Sequence, residues 1–378
     1  MMQTFNAEKT GFRPRSDHIL IATIFLLTGV GLVTLYSASY AYGERFFKQG
    51  MYFVNRQLLY ALVGVVAFFV ASWVNLDSVR KLVVPIVAIT ALLCLFALLP
   101  GIGAKKNGAA RWIKIGASGT FQPSELVKLT LPFYLAHIFS KKQDRINSLV
   151  SGILPPILIT VLFFILIYLQ NNFSTALFLA INALVIFYLS GIWYRYFIAA
   201  AVILTPLSAY LILSKAHRIS RVISYFIPDW EPQGAGYQVH SSLLSIGSGG
   251  VLGKGLGQGT RKIASVPEIQ SDFIFSSFSE EAGLVGVILF YALFIVFTVQ
   301  GYRAALKADD MFRRLLGCGL VTVISSQALL NIAVVSGAVP ATGVPLPFFS
   351  AGGSSLIVTL LIAGIIVNIS RKREASHV

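Results

Sequence analysis

Apolar runs of about 17 to 25 residues, each closed by Gly, Pro, Asn or charge, recur along the chain and decide what it can fold into. Such a run crosses about 30 Å of hydrocarbon as a helix, because a helix satisfies its backbone N–H and C=O groups internally where no water can. The runs fall at roughly 18–37, 57–75, 81–99, 123–139, 151–169, 174–190, 196–213, 275–300, 315–338 and 354–370. They predict an all-α integral membrane protein with about ten transmembrane helices, forming one polytopic domain over 1–378. Charged residues make up only 12% of the chain, against about 25% in soluble domains, which excludes a water-soluble fold. No nucleic-acid partner is expected.

The run Ile19 to Tyr36 follows Lys9, Arg13 and Arg15 and precedes Ser37-Ala38-Ser39, in outward imitation of a signal peptide. Its core exceeds the roughly 7 to 15 residues of a signal h-region, so it reads as an uncleaved first helix. Cys94 and Cys318 sit alone inside apolar runs and suggest neither a disulfide nor a metal cluster.

Lys and Arg in short loops set orientation. With both termini cytoplasmic, the inner short loops hold 16 such residues and the outer ones 7. The long segment 214–274, between the seventh and eighth helices, then lies outside. Four of the seven outer cations, Lys105, Lys106, Arg111 and Lys114, crowd one loop, and the long segment adds Lys215, Arg218, Arg221, Lys254, Arg261 and Lys262. Cations held against the topological bias point to an anionic partner at the outer headgroups, such as a lipid phosphate or pyrophosphate. Indifferent translocation of a long loop accounts for the second group without any ligand.

Glu125 and Lys128, in Gln122-Pro123-Ser124-Glu125-Leu126-Val127-Lys128, share a helix face at the outer end of the fourth span. Charges there line a polar pocket or form a structural ion pair. The run Gly247 to Gly259, which includes Gln258, lacks the spacing of a nucleotide loop: Ser248 stands where the first Gly belongs, and Gly follows Lys254. Its backbone can still approach a ligand or donate N–H groups to an anion. Asp272 precedes the eighth span, either as a helix N-cap or as a reactive carboxylate. Glu280 and Glu281 follow in early helical turns, where the helix dipole favours negative charge. The five His show no metal-ligand pairing.

Together these segments resemble the SEDS family, the shape, elongation, division and sporulation proteins that include FtsW, RodA and SpoVE. The resemblance spans nearly the whole chain. It rests on Asn107-Gly108-Ala109-Ala110-Arg111-Trp112-Ile113, on Gln122 to Lys128, on Gly236-Tyr237-Gln238 with the run to Gly259, on Pro267-Glu268 and Ser271 to Phe275, on Glu280-Glu281-Ala282-Gly283, and on Pro340 to Ser355. It implies a peptidoglycan glycosyltransferase that polymerises lipid II at the outer face of the bacterial cytoplasmic membrane, beside a class B penicillin-binding protein and other divisome or elongasome proteins. By the same resemblance the essential acid is Asp272, and Arg111, Trp112, Glu125, Lys128, Gln258, Lys262 and Ser350 contact substrate. Leu99 to Gly103 and Gly259 to Lys262 look more like the division branch than the elongation branch. The family's usual Gln-Pro-Asp-x-Gly-Thr is here Gln170-Asn171-Asn172-Phe173-Ser174-Thr175, and its Ser-Tyr-Gly-Gly-Ser-Ser is Ser350-Ala351-Gly352-Gly353-Ser354-Ser355, so no carboxylate role passes to Asn172 and no aromatic role to Ala351.

The expected mechanism makes Asp272 the base for a sugar hydroxyl, with Arg111, Lys128 and Lys262 on the departing pyrophosphate and Glu125 fixing Lys128 or a cation. Mg²⁺ or Mn²⁺ suits phosphate oxygens, but the sequence carries no metal signature, so the cofactor stays open. A lipid II flippase and a non-catalytic scaffold remain the alternatives.

Overall fold

In the computed structural model, which describes residues 17–106, 108–116, 119–227, 235–259 and 270–371, each of the ten runs is helical. The first four spans are α1 (His18–Phe47), α2 (Tyr52–Trp73), α4 (Val83–Phe96) with the short α3 (Leu76–Lys81) before it, and α5 (Pro123–Lys141). Next come α6 (Leu154–Leu169), α7 (Phe173–Leu189) and α8 (Tyr194–Leu213). The segment 214–274 contributes α9 (Ala216–Phe226) and α10 (Ala235–Ser248), and the bundle closes with α11 (Ile274–Leu306), α12 (Met311–Val335) and α13 (Gly353–Ser370). Seven helices are long and apolar enough to cross a membrane on those grounds alone, with α4 and α7 as shorter apolar helices. Local signals explain the ends: Asp17 accepts from the Leu20 N–H at 3.0 Å, Asp310 accepts from the Arg313 N–H at 2.6 Å, and Pro123 opens α5 where its missing N–H costs nothing.

Inside a bilayer, helices associate by close packing rather than by escape from water, so small residues mark the seams. Gly64 and Gly364 let α2 and α13 run together, against Leu360 and Phe68; Gly301 and Gly317 do the same for α11 and α12, against Val321 and Ala305. α12 lies at the centre, packed on α5, α7, α11 and α13.

Two features differ from the sequence reading. The basic loop after the third span is a three-stranded antiparallel meander of β1 (Gly103–Lys106), β2 (Ala109–Ile115) and β3 (Gly119–Phe121), with Ile113 paired to both Gly103 and Phe121. The eighth span is not continuous. Gly283 breaks α11 with φ +62° and ψ −168°, a conformation open essentially to glycine alone. The glycine-rich run fills the gap: the N–H groups of Lys254 and Gly255 donate to the carbonyls of Glu280 and Glu281, and those of Leu284 and Val285 donate to Gly250 and Val251, all between 3.0 and 3.2 Å. A Cβ on Gly253 would sit 2.1 Å from the Glu281 carbonyl oxygen, so the absent side chains admit protein backbone here.

Between α12 and α13 the chain re-enters the bundle without helix. Gln327 donates to the Pro345 carbonyl and Asn331 to that of Val344, each at 2.8 Å, while Phe349 packs edge-on against Phe278 and Phe290. Irregular backbone survives at membrane depth only when buried in protein in this way.

Candidate functional site

The outer end of the bundle holds a cavity of about 760 Å³ between α7, α8, α9, α12 and the turn 339–342. Three arginines line it: Arg111 from β2, and Arg218 and Arg221 one turn apart on α9. Arg111 is steered by the α6–α7 turn, where its guanidinium donates to the Asn171 carbonyl and the Asn171 amide donates to the Gly108 carbonyl at 3.2 Å. Arg218 is 6% exposed, stacks on Tyr168 and Phe173, and donates to the Leu211 carbonyl at 2.7 Å. Its Nε is buried and has no protein partner among the described residues, as has the Thr342 hydroxyl on the same wall. An unsatisfied buried polar group costs about 1–3 kcal/mol, which a polar ligand or water would offset. Leu177, Phe178, Ile181 and Leu330 make the deeper surface apolar.

Asp272 joins this site through Arg221 and one turn. Burial lowers the Arg221 guanidinium from its ordinary pKa, and the charge of Asp272 acts in the opposite sense. Arg221 donates to the Ala341 carbonyl at 3.4 Å, and two residues on, Gly343 stands so close that a Cβ there would lie 3.2 Å from Asp272 Oδ2. Asn331 fixes the backbone, donating 2.8 Å bonds to the carbonyls of both Asp272 and Val344. The cap position of α11 falls to Phe273, which has no capping side chain, one residue past Asp272.

Glu125 and Lys128 are each 3% exposed, and the Lys128 ammonium lies 2.9 Å from both carboxylate oxygens. They face inward from α5, which packs against β2, α7 and α12. Neither lines the cavity, and the other expected contacts also lie elsewhere. Trp112 follows Arg111 but does not line the cavity, and Gln258 is exposed on the glycine-rich run. Ser350 is 4% exposed, with its hydroxyl occupied: it accepts from the Leu346 N–H at 2.7 Å and donates to the Ser271 carbonyl at 2.5 Å. That role is to tie the re-entrant turn to the stretch before Asp272. Lys262, with Arg261, Pro267 and Glu268, lies outside the described residues.

Glu280 and Glu281 depart from the dipole argument. They sit just before the break at Gly283, at the C-terminal end of a short half-helix where the dipole opposes them, and are 0% and 4% exposed. Lys254 pairs with Glu280 at 2.7 Å and Ser37 donates to Glu281 at 2.6 Å. The sequence marks Arg218 and Arg221 as basic, but their meeting with Arg111 depends on where α9 packs. Asn172 lines the cavity, with an amide where the family pattern has a carboxylate. Among the described residues no three His, Cys, Asp or Glu side chains gather to hold a metal.

The chain matches the family model described as cell cycle protein, FtsW/RodA/SpoVE, over residues 17–375. It is 36% identical over 360 residues to a probable peptidoglycan glycosyltransferase FtsW of Geobacter sp. strain M18, covering 95% of this chain and 98% of that one. It is 37% identical to stage V sporulation protein E of Bacillus subtilis strain 168, covering 94% and 97%. Among solved structures, a chain of a peptidoglycan synthase complex that coordinates polymerization and crosslinking superposes with TM-score 0.78 at 26% identity, covering 94% and 97%. The rod shape determining protein RodA of Thermus thermophilus superposes with TM-score 0.69 at 26% identity, covering 94% and 96%.

Proposed function

The chain belongs to the FtsW/RodA/SpoVE family of cell cycle proteins, and from that premise we propose that its outer cavity polymerises lipid II with Asp272 as the base. It is a multi-pass protein of the bacterial inner membrane and a peptidoglycan glycosyltransferase like the relatives named FtsW. The observation that carries the site assignment is the meeting of Arg111, Arg218 and Arg221 around one cavity, with Asp272 in electrostatic reach of Arg221.

A sugar hydroxyl is a weak nucleophile at neutral pH, and a lipid pyrophosphate leaves with growing negative charge. Asp272 accepts the proton of the acceptor's hydroxyl as its oxygen bonds to the donor's anomeric carbon. The bond from that carbon to the pyrophosphate breaks on the opposite face, so the configuration inverts, as in inverting sugar chemistry generally. The three guanidiniums are fixed donors for the departing pyrophosphate and need no reorganisation during the step. The apolar depth of the cavity accommodates the first isoprene units. Lys128 and its partner Glu125 stay out of the cavity and stabilise α5, which packs on the strand that carries Arg111, and Lys262 is assigned to the same anion. The partner on the outer face is a class B penicillin-binding protein acting on the strand this enzyme makes, consistent with the likeness to a chain of a peptidoglycan synthase complex.

Asp272→Asn keeps volume and removes basicity. In detergent with fluorescent lipid II and any partner lacking its own glycosyltransferase, polymerisation is expected to fall about 10²- to 10⁴-fold. A near-parent rate would remove Asp272 from the mechanism. In sealed vesicles, transport of lipid II without polymerisation would favour a flippase, and neither activity would leave a scaffold.

A further inference from the structure

Behind Arg221 lies a second, smaller cavity of about 100 Å³, enclosed by α9, α10 and the turn 337–341. Arg221, Pro340 and Ala341 line both cavities and form the partition between them. The inner wall is apolar, from Val239 and Leu243. Its buried polar group is Ser224, 4% exposed, whose hydroxyl has no hydrogen-bond partner among the described residues, while the exposed His240 stands at the rim. The neighbouring Tyr225 hydroxyl is already used, donating to the Ala338 carbonyl at 3.1 Å.

We infer that this side cavity receives a 2-acetamido group of the sugar substrate; the inference rests on the glycosyltransferase reading above and names a specificity subsite within it. The space corresponds to roughly three waters' share of liquid, enough for an acetamido group and too little for a sugar ring. The chemistry matches point by point. The amide N–H donates to Ser224 Oγ, the carbonyl accepts from Arg221, and the methyl packs on Val239 and Leu243. A phosphate fits worse, because its charged oxygens would lie against Val239 and Leu243, with one guanidinium and the exposed His240 at the rim to meet them. By holding the sugar beside Arg221, the subsite fixes its position relative to Asp272.

The test compares lipid II with two analogues, in which a hydroxyl replaces the acetamido group of either the terminal sugar or the sugar joined to pyrophosphate. The parent protein should use one analogue about 10- to 100-fold more slowly than lipid II, which identifies the sugar concerned. Ser224→Val should lower kcat/KM for lipid II about tenfold and leave that analogue almost unchanged, so that discrimination collapses. Val239→Phe, which fills the cavity, should do the same and serves if Ser224→Val does not purify as a monodisperse species. Equal use of all three substrates by the parent, or an equal loss for lipid II and analogue in both variants, makes the cavity a water-filled void and overturns the inference. A parent inert toward lipid II removes the glycosyltransferase reading itself, and this subsite with it.

Discussion

Two walls of the same cavity are built in opposite ways. α12 contributes Ser326 and Leu330, and 72% of its apolar window is buried; α8 contributes Ile212 from a window of which 0% is buried. The α12 wall is also stitched by hydrogen bonds, with Ser326 donating to Asn182 of α7 at 3.0 Å and Asn331 and Gln327 holding the re-entrant turn. α8 is tethered at its outer end through α9, by the Arg218 guanidinium on the Leu211 carbonyl, and at its other end by the Tyr196 hydroxyl on the Asn147 carbonyl and the Phe197 ring against Tyr188. Moving α12 would break a packed core, whereas moving α8 exchanges lipid contacts for lipid contacts. Asp272 is therefore held from the packed wall, through Asn331, whereas Arg218 and Arg221 sit on α9 beside the loose one.

The packed side offers the hardest test of this contrast. Lys128→Ala leaves Glu125 buried alone, and breaking such a pair should cost about 3–5 kcal/mol. Thermal unfolding in detergent should show that loss, and replacing both residues by Leu and Met should recover most of it. If Lys128→Ala unfolds like the parent, the pair contributes nothing to the rigid half. A smaller loss, of about 1–3 kcal/mol, is expected from Asn331→Leu, which leaves two carbonyls without their donor. Because one of them belongs to Asp272, lipid II turnover should fall more than the lost stability explains.

How much of this the sequence reveals depends on whether the cause is local. Ten spans are legible because hydropathy acts residue by residue, and Glu125 with Lys128 because three-residue spacing on a helix fixes their neighbourhood. The break at Gly283 is different: the glycine is visible, but the run that completes its hydrogen bonds pairs with residues 26 or 34 positions further along the chain. The meander at 103–121 is hidden because its strands are short and glycine-interrupted, with Ile and Trp scattered among cations. Arg218 and Arg221 are legible as charge and illegible as site, since only the placement of α9 puts them on the same cavity as Arg111. Ser350 misleads for the same reason, because the carbonyl that occupies its hydroxyl belongs to Ser271, far away in sequence.

On the loose side the expected effects are smaller and differ in kind. Arg218→Lys keeps the charge but loses the planar stack on Tyr168 and Phe173 and weakens the hold on Leu211, at about 1 kcal/mol. Hydrogen exchange should then quicken across 194–213 and not across 311–335. Equal protection in both would mean that the Tyr196 and Phe197 contacts, rather than α9, decide how firmly α8 is held.

The mildest test swaps one residue type between the two walls. Val321, 0% exposed on α12, seats against Gly301, and its truncation to Ala should cost about 1–2 kcal/mol through lost packing. Val202, 69% exposed on α8, touches lipid in the free protein, so Val202→Ala should stay within about 0.5 kcal/mol. The same Val202 variant, measured with a penicillin-binding protein bound, reads whether the loose wall is covered in the complex. A cost that emerges only there would make α8 a partner-facing helix, and the contrast between the walls would belong to the free enzyme alone.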